Sequence, residues 1–292
     1  MAQGSGGSPH PLTFGVVTGQ HQLTWPQLVA QWQLAEELGF DSVFLFDHFM
    51  ALYADPDGPC LEASTLLSAL ALKTSTIRIG VLVYGNTHRH PAVFAKEMAT
   101  IDHVSDGRVI IGIGTGWNER EHTAYAIPFP SAGERVDMLD EAIQIIRSLF
   151  TEKRTTFEGE HYRLQDAPFA PKPLQARVPV MVGGDRPRML KLIARHADIW
   201  DSSRTPAGVR EGLETIAGHC AEVGRDPGEI VCSVSLGADK LEDERGFPDL
   251  VRSYRDAGAD QLLFDFPLSD GGVASTRRIA TELIPQLKAE LA

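Results

Sequence analysis

The chain has 292 residues, 43% apolar and 23% charged, with 27 Lys plus Arg against 39 Asp plus Glu and a net charge of −12. This is an ordinary globular composition with enough apolar residues for a sizeable core. Its acidity excludes a broad surface for nucleic acid or anionic membrane, because phosphates need clustered Lys and Arg. No apolar run approaches the ~18 residues of a membrane span. Three scattered cysteines (Cys60, Cys220, Cys232) make neither a Cys-x-x-Cys pair nor an even disulfide framework. A cytoplasmic location is expected.

Residues 1–10 (MAQGSGGSPH) lack the basic and apolar regions of a signal peptide and predict a disordered tail. The β-rich run Thr13–Gly19 follows, then a helix from Thr24 to Gly39 with Trp25, Leu28, Val29, Trp32 and Ala35 on one face. Thr24 and Gln27 have capping-box spacing, and Gly39 before Phe40 reads as a glycine C-cap. Seven more short apolar runs predict strands: Ser42–His48, Arg78–Asn86, Val109–Gly116, Val178–Gly184, Ala197–Ser203, Ile230–Ala238 and Gln261–Pro267. Helical stretches separate them. Continuous apolar strands alternating with helices predict a parallel sheet covered on both faces. Eight such units in one chain favour a (β/α)8 TIM barrel over an open doubly wound sheet. One insertion, 152–177, breaks the rhythm after the fourth βα unit and predicts a hairpin around Glu158–Gly159 and a Pro-rich connector. No linker divides residues 11–292, which are expected to form a single domain.

In such a barrel the chemistry lies at the C-terminal ends of the strands. The second strand ends Phe46-Asp47-His48-Phe49, and neutral imidazole can move protons near pH 7. Asp47 acts on His48 only indirectly, since neighbours along a strand face opposite ways. The third strand ends Tyr84-Gly85-Asn86-Thr87, where glycine permits close backbone approach and Asn86 offers a donor and an acceptor. The fourth ends Gly112-Ile113-Gly114-Thr115-Gly116-Trp117-Asn118. That is not the G-x-G-x-x-G dinucleotide spacing, and it reads as glycines making room and Trp117 walling a pocket. The fifth ends Gly183-Gly184-Asp185-Arg186-Pro187-Arg188 and runs into a helix, a candidate anion site. His88-Arg89-His90 before Pro91 reads as loop and helix-start contacts rather than a metal site, so no metal is expected. The G-x-S-x-G elbow, the phosphate-binding P-loop and H-E-x-x-H are all missing.

Four stretches together resemble the bacterial luciferase-like flavin- and deazaflavin-dependent oxidoreductases: Ala35–Phe49 (AEELGFDSVFLFDHF), Gly85–Asp102, Ser105–Asn118 (SDGRVIIGIGTGWN) and Pro179–Gly184. The Asp-His-Phe end, the G-T-G-W turn and Ile127-Pro128-Phe129-Pro130 are similar to the subgroup that uses coenzyme F420; other members use FMN. The resemblance implies a cofactor ring near Tyr84, Gly85, Asn86 and Thr115. It implies a phosphate at Gly183 and Gly184, beside Asp185 and Arg186, with Ser202 or Ser203 helping. His48 corresponds to the active-site histidine of some deazaflavin members. The chain departs from its relatives at Gly184-Asp185-Arg186-Pro187, where they often carry a longer glycine run.

The expected function is hydride transfer between F420 and a small organic substrate, with His48 exchanging the proton and Trp117 shaping the substrate side. The alternatives are an FMN-dependent monooxygenase with the same site and, in another class, a non-catalytic flavin-binding protein. A small-molecule substrate and a homodimer are the expected partners.

Overall fold

The computed structural model describes residues 9–52 and 55–292. The elements run in chain order β1 (Thr13–Val17), α1 (Trp25–Glu37), β2 (Ser42–Leu45), α2 (Ala63–Ala71), β3 (Arg78–Val81), β4 (Tyr84–Gly85) and α3 (Pro91–Val104). They continue with β5 (Val109–Gly114), α4 (Glu119–Ala124), α5 (Ala132–Thr151), β6 (Arg154–Glu158), β7 (Arg163–Pro168), β8 (Val180–Gly183) and α6 (Pro187–His196). The last are β9 (Ile199–Ser202), α7 (Pro206–Val223), β10 (Val231–Leu236), α8 (Phe247–Asp256), β11 (Gln261–Asp265), α9 (Asp270–Arg278) and α10 (Ile284–Glu290). All eight expected strands are present. The expected tail lies outside the described residues as far as residue 8, and by His10 the chain is anchored. The His10 ring meets the Gly228 carbonyl at 2.8 Å, and Arg255 donates to the His10 carbonyl at 2.9 Å.

The chain divides into two compact units. The larger holds Thr18–Glu36 and Ser42–Gly183. Its parallel strands lie in the order β2, β3, β5, β8, in registers Ser42↔Arg78, Ile79↔Val109 and Ile111↔Val180. Every residue of β2 and β5 is buried, which is why both read as unbroken apolar runs. The third expected strand is in two pieces. β3 stops at Val81, the Leu82–Val83 peptide is cis, and β4 resumes farther along β5, with Tyr84 opposite Ile113. Gly112 and Gly114 accommodate this step. A Cβ on Gly112 would lie 2.1 Å from the Val81 carbonyl oxygen, and one on Gly114 2.8 Å from the Val83 side chain. These glycines make room for the neighbouring strand, not for a ligand.

On α1, Leu28, Trp32 and Ala35 are buried but Trp25 is exposed and Val29 only half-buried, so the packed face is narrower than the expected one. The Thr24 amide and hydroxyl both reach Gln27 as the capping spacing predicts, and Gly39 has φ +79°. The insertion is the expected antiparallel hairpin, β6 with β7. Helix carboxylates tie down the loops. Glu141 of α5 accepts the amides of Glu160, His161 and Tyr162, and buried Asp102 of α3 accepts those of Leu174 and Gln175. Glu36 of α1 does the same for Ser75, Thr76 and Ile77.

The smaller unit holds the chain up to Val17, Glu37–Asp41 and Gly184–Ala292. Its parallel strands lie in the order β1, β11, β10, β9, with Thr13↔Gln261, Ser233↔Gln261 and Ile199↔Val231. Phe14, Phe247 and Phe264 pack in its core at ring separations of 6.3 and 5.6 Å. Buried Trp200 lies so close over α7 that a Cβ on Gly212 would come within 2.1 Å of its ring.

Candidate active site

In the larger unit, β2 gives way to a loop whose path is set by Gln20. The Phe46 amide donates to its side-chain oxygen at 3.0 Å, and its amide group donates back to the Phe46 carbonyl. This places His48 with Nδ1 2.6 Å from Glu121 Oε2. Glu121, in the first turn of α4, has a fully buried side chain and also accepts from Phe49 N (2.6 Å), Met50 N (3.2 Å) and Asn118 Nδ2 (2.9 Å). Burial alone would raise its carboxyl. The His48 hydrogen bond and charge, with the two backbone amides, outweigh that and hold it below its ordinary value. The ionised Glu121 carboxylate accepts the hydrogen bond from Nδ1–H, which leaves Nε2 as the ring nitrogen open to a reactant. The His48 side chain is 14% exposed. Trp117 stands edge-on to it at 5.9 Å with 61% of its own surface open. Histidine and indole are thus brought together.

Asp47 points the other way. Its buried carboxylate takes Arg89 through both oxygens (2.9 and 3.0 Å), His88 Nδ1 at 2.9 Å and the Gly85 amide at 2.9 Å. Burial would raise its pKa, but His88 and Arg89 hold it low. Asp47 therefore fixes the loop after β4 and has no direct bond to His48. A Cβ on Gly85 would meet the His88 ring at 2.9 Å, so this glycine admits a side chain of its own loop. His90 caps α3 by accepting from Ala92 N, with Pro91 as the first helical residue, as the sequence predicts.

The other expected ring contacts are spent inside the protein. Tyr84 is buried against Phe94, with Arg89 over its ring and its hydroxyl 3.4 Å from Ser64 Oγ. Asn86 donates to the Tyr162 hydroxyl at 3.3 Å. Thr115 makes only a 3.5 Å contact to the Gly116 carbonyl. That turn is held from below: Arg135 donates to the Gly116 carbonyl at 3.0 Å and stacks on Phe129, while His122 reaches Thr87 Oγ1 at 2.7 Å.

Of the residues expected at a phosphate, Gly183 ends β8 in the larger unit, while Asp185 and Ser202 cluster with Arg204 in the smaller one. The Gly184 amide is already donated to the Asp201 carbonyl (3.2 Å). Ser202 Oγ donates to Asp185 Oδ1 at 2.8 Å, and Arg204 Nε stands 3.2 Å from the same oxygen. Arg186 is the residue preceding α6, with no side-chain capping bond.

Sequence reasoning missed Glu121, His21 and Arg204. Asn118-Glu119-Arg120-Glu121 showed two acids in a helix start, but six residues are too few for periodicity to say which turns inward. His21 lies 6.0 Å from the His48 ring, and its Nε2 is buried without a partner.

A buried carboxylate orienting a largely buried histidine at the strand ends of a β/α repeat is an arrangement suited to an enzyme of the barrel class. The chain belongs to the luciferase-like monooxygenase family, whose family model matches residues 10–244. It is 35% identical over 80% of its length to an F420-dependent glucose-6-phosphate dehydrogenase of Kineococcus radiotolerans, covering 69% of that protein. It is 39% identical over 70% of its length to a protein of the same description from Microbacterium testaceum, covering 60% of it. Among solved structures, an F420-dependent secondary alcohol dehydrogenase with an F420–acetone adduct matches with a TM-score of 0.83 at 19% identity, over 93% of this chain and 99% of that one. The F420-dependent tetrahydromethanopterin reductase of Methanopyrus kandleri matches with a TM-score of 0.79 at 18% identity, over 95% and 99%. The fold class is the luciferase-like (β/α)8 barrel, as expected. Among the described residues no helix is long and apolar enough to cross a membrane.

Proposed function

We infer that this chain is an oxidoreductase that exchanges hydride between the deazaflavin F420 and a small organic substrate. The observation that carries this reading is the His48–Glu121 pair beside an exposed indole, in a chain 35–39% identical to F420-dependent dehydrogenases. When bound, the deazaflavin accepts or returns the hydride; the protein orients the reactants and handles the proton. The residues present fit that division. Among the described residues no hydrogen bond engages His48 Nε2, His21 Nε2 is a buried polar atom left unmatched near its ring, and Trp117 offers an open aromatic wall. In the smaller unit Ser202 and Arg204 are donors suited to a phosphate.

In the alcohol-oxidising direction His48 Nε2 accepts the hydroxyl proton as the hydride leaves carbon. The resulting imidazolium is stabilised by Glu121, which holds the ring at Nδ1 throughout. In the reverse direction the same nitrogen returns the proton. Trp117 shapes the substrate side and limits water, and Asp47 keeps the loop 85–89 in place. Tyr84, Gly85, Asn86 and Thr115 belong to the ring end in this reading, with the Gly85 and Asn86 amides already donated to Asp47 and to the Gly114 carbonyl. Gly183, Gly184, Asp185, Arg186 and Ser202 belong to the phosphate end. A cytoplasmic location is supported by three free cysteines, and a homodimer is part of the reading.

The test is F420 reduction with a panel of secondary alcohols and sugar phosphates. His48→Ala should lower turnover by about 10²–10⁴ while F420 binding is kept. Unchanged turnover in that variant would remove His48 from the chemistry.

A further inference from the structure

The cluster at the start of α6 contains a carboxylate where an anion would be received. Asp185 Oδ1 accepts from Ser202 Oγ at 2.8 Å and lies 3.2 Å from Arg204 Nε. Both charged side chains are about a third exposed, at 31% for Arg204 and 27% for Asp185, so solvent reaches the pair. Arg204 does not depend on that carboxylate for its place. Its Nη2 donates to the Asp185 backbone carbonyl at 2.6 Å and its Nη1 to the Gly208 carbonyl at 3.4 Å. Its stem lies against Gly208, where a Cβ would come within 3.0 Å of it. Ser202 Oγ is likewise fixed, accepting from the Arg204 amide at 3.2 Å. The donors are therefore held by backbone, and the group that fills them is a side chain able to rotate about its own bonds.

We propose that Asp185 is a built-in anion that competes with phosphate for Ser202 and Arg204, and so weakens the grip on the phosphate-bearing cofactor. The part concerning the cofactor rests on the F420 reading above. A phosphate group must displace the carboxylate to gain the Ser202 hydroxyl and the Arg204 guanidinium, which are well matched to its oxygens. Until it does, Arg204 and Asp185 cancel, and the Gly184 amide cannot compensate because it is donated to the Asp201 carbonyl. Once displaced, Asp185 remains a like charge beside the bound anion. Arg204 then has to serve the phosphate while facing that charge. The position thereby sets how tightly this chain holds a phosphate.

The test uses the full chain and inorganic phosphate followed by calorimetry, with F420 titrated in parallel. Asp185→Asn keeps an acceptor for Ser202 and Arg204 but removes the charge; Asp185→Ser is a second uncharged variant should the first fail to fold. Either should bind phosphate at least ~10-fold more tightly than the parent chain, the size of effect expected from removing one nearby like charge. Adding Arg204→Gln should cancel the gain. Phosphate affinity unchanged or lowered in both uncharged variants would overturn the proposal, since Asp185 would then be positioning the cation rather than competing for it. Tighter phosphate with unchanged F420 would uphold the competition and overturn the assignment of the cofactor's phosphate to this cluster. Loss of F420 reduction with these outcomes intact would instead count against the functional reading.

Discussion

One carboxylate oxygen decides which nitrogen of His48 is available for chemistry. With Glu121 ionised and 2.6 Å from Nδ1, the proton is fixed on that side and Nε2 is left to act. Glu121→Gln keeps the shape but loses the charge that stabilises an imidazolium. It should lower kcat by about 10-fold or more while F420 affinity stays near the parent value. A steady-state comparison of kcat with a cofactor titration checks this, and equal losses in both would mean that Glu121 only holds the loop. The histidine was legible because strand ends are where a barrel puts its chemistry. Its partner was not, since Glu121 lies 73 residues away and nothing in a single sequence pairs the two. Tyr84 and Asn86 were legible as positions but not as roles. A strand-end residue reads as ligand-facing until Phe94, Ser64 and Tyr162 are seen to occupy it.

The elements were the most legible level, because buried parallel strands make short apolar runs and helices make a 3.6-residue stripe. The step at Leu82–Val83 escaped because its apolar pattern continues unbroken through Arg78–Asn86. Only Gly112 and Gly114 on the facing strand marked it. The loops are secured by long-range bonds that no local pattern carries. Glu36 takes three consecutive loop amides, and although burial opposes it these bonds pull its carboxyl down to about 2. A depressed folded-state value means that this stabilisation is complete above the ordinary glutamate range and is lost as pH falls from ~4 towards 2. Glu36→Gln should therefore flatten the acid limb of the pH–stability curve. On the insertion, Glu141→Ala should free the amides of residues 160–162 and lower unfolding free energy by about 1–3 kcal/mol, read from denaturant midpoints. No change would show that water serves those amides equally well.

At the scale of the molecule the acidic balance of −12 leaves room for local exceptions to surface solvation. Asp201 is one. Burial pushes its carboxyl up to about 7, against the pull of hydrogen bonds from Ser233 and Ser235 at 3.0 Å. Its folded value lies above the ~3.9 of an unfolded aspartate, so the folded state holds a proton that the unfolded state releases. This group's contribution is complete below pH ~4 and is lost as pH rises through 7, by roughly 3–5 kcal/mol in all. Asp201→Asn should match the parent near pH 4 and exceed it in unfolding free energy at pH 8. Equal stability at pH 8 would show that Asp201 is ionised in the fold at little cost.

Use of a deazaflavin by this barrel is tested most directly by titrating the purified chain with F420 and with FMN, and following the fluorescence of each. Saturable binding of F420, retained by His48→Ala, with FMN held far more weakly, is the predicted result. Tight binding of FMN alone would contradict it.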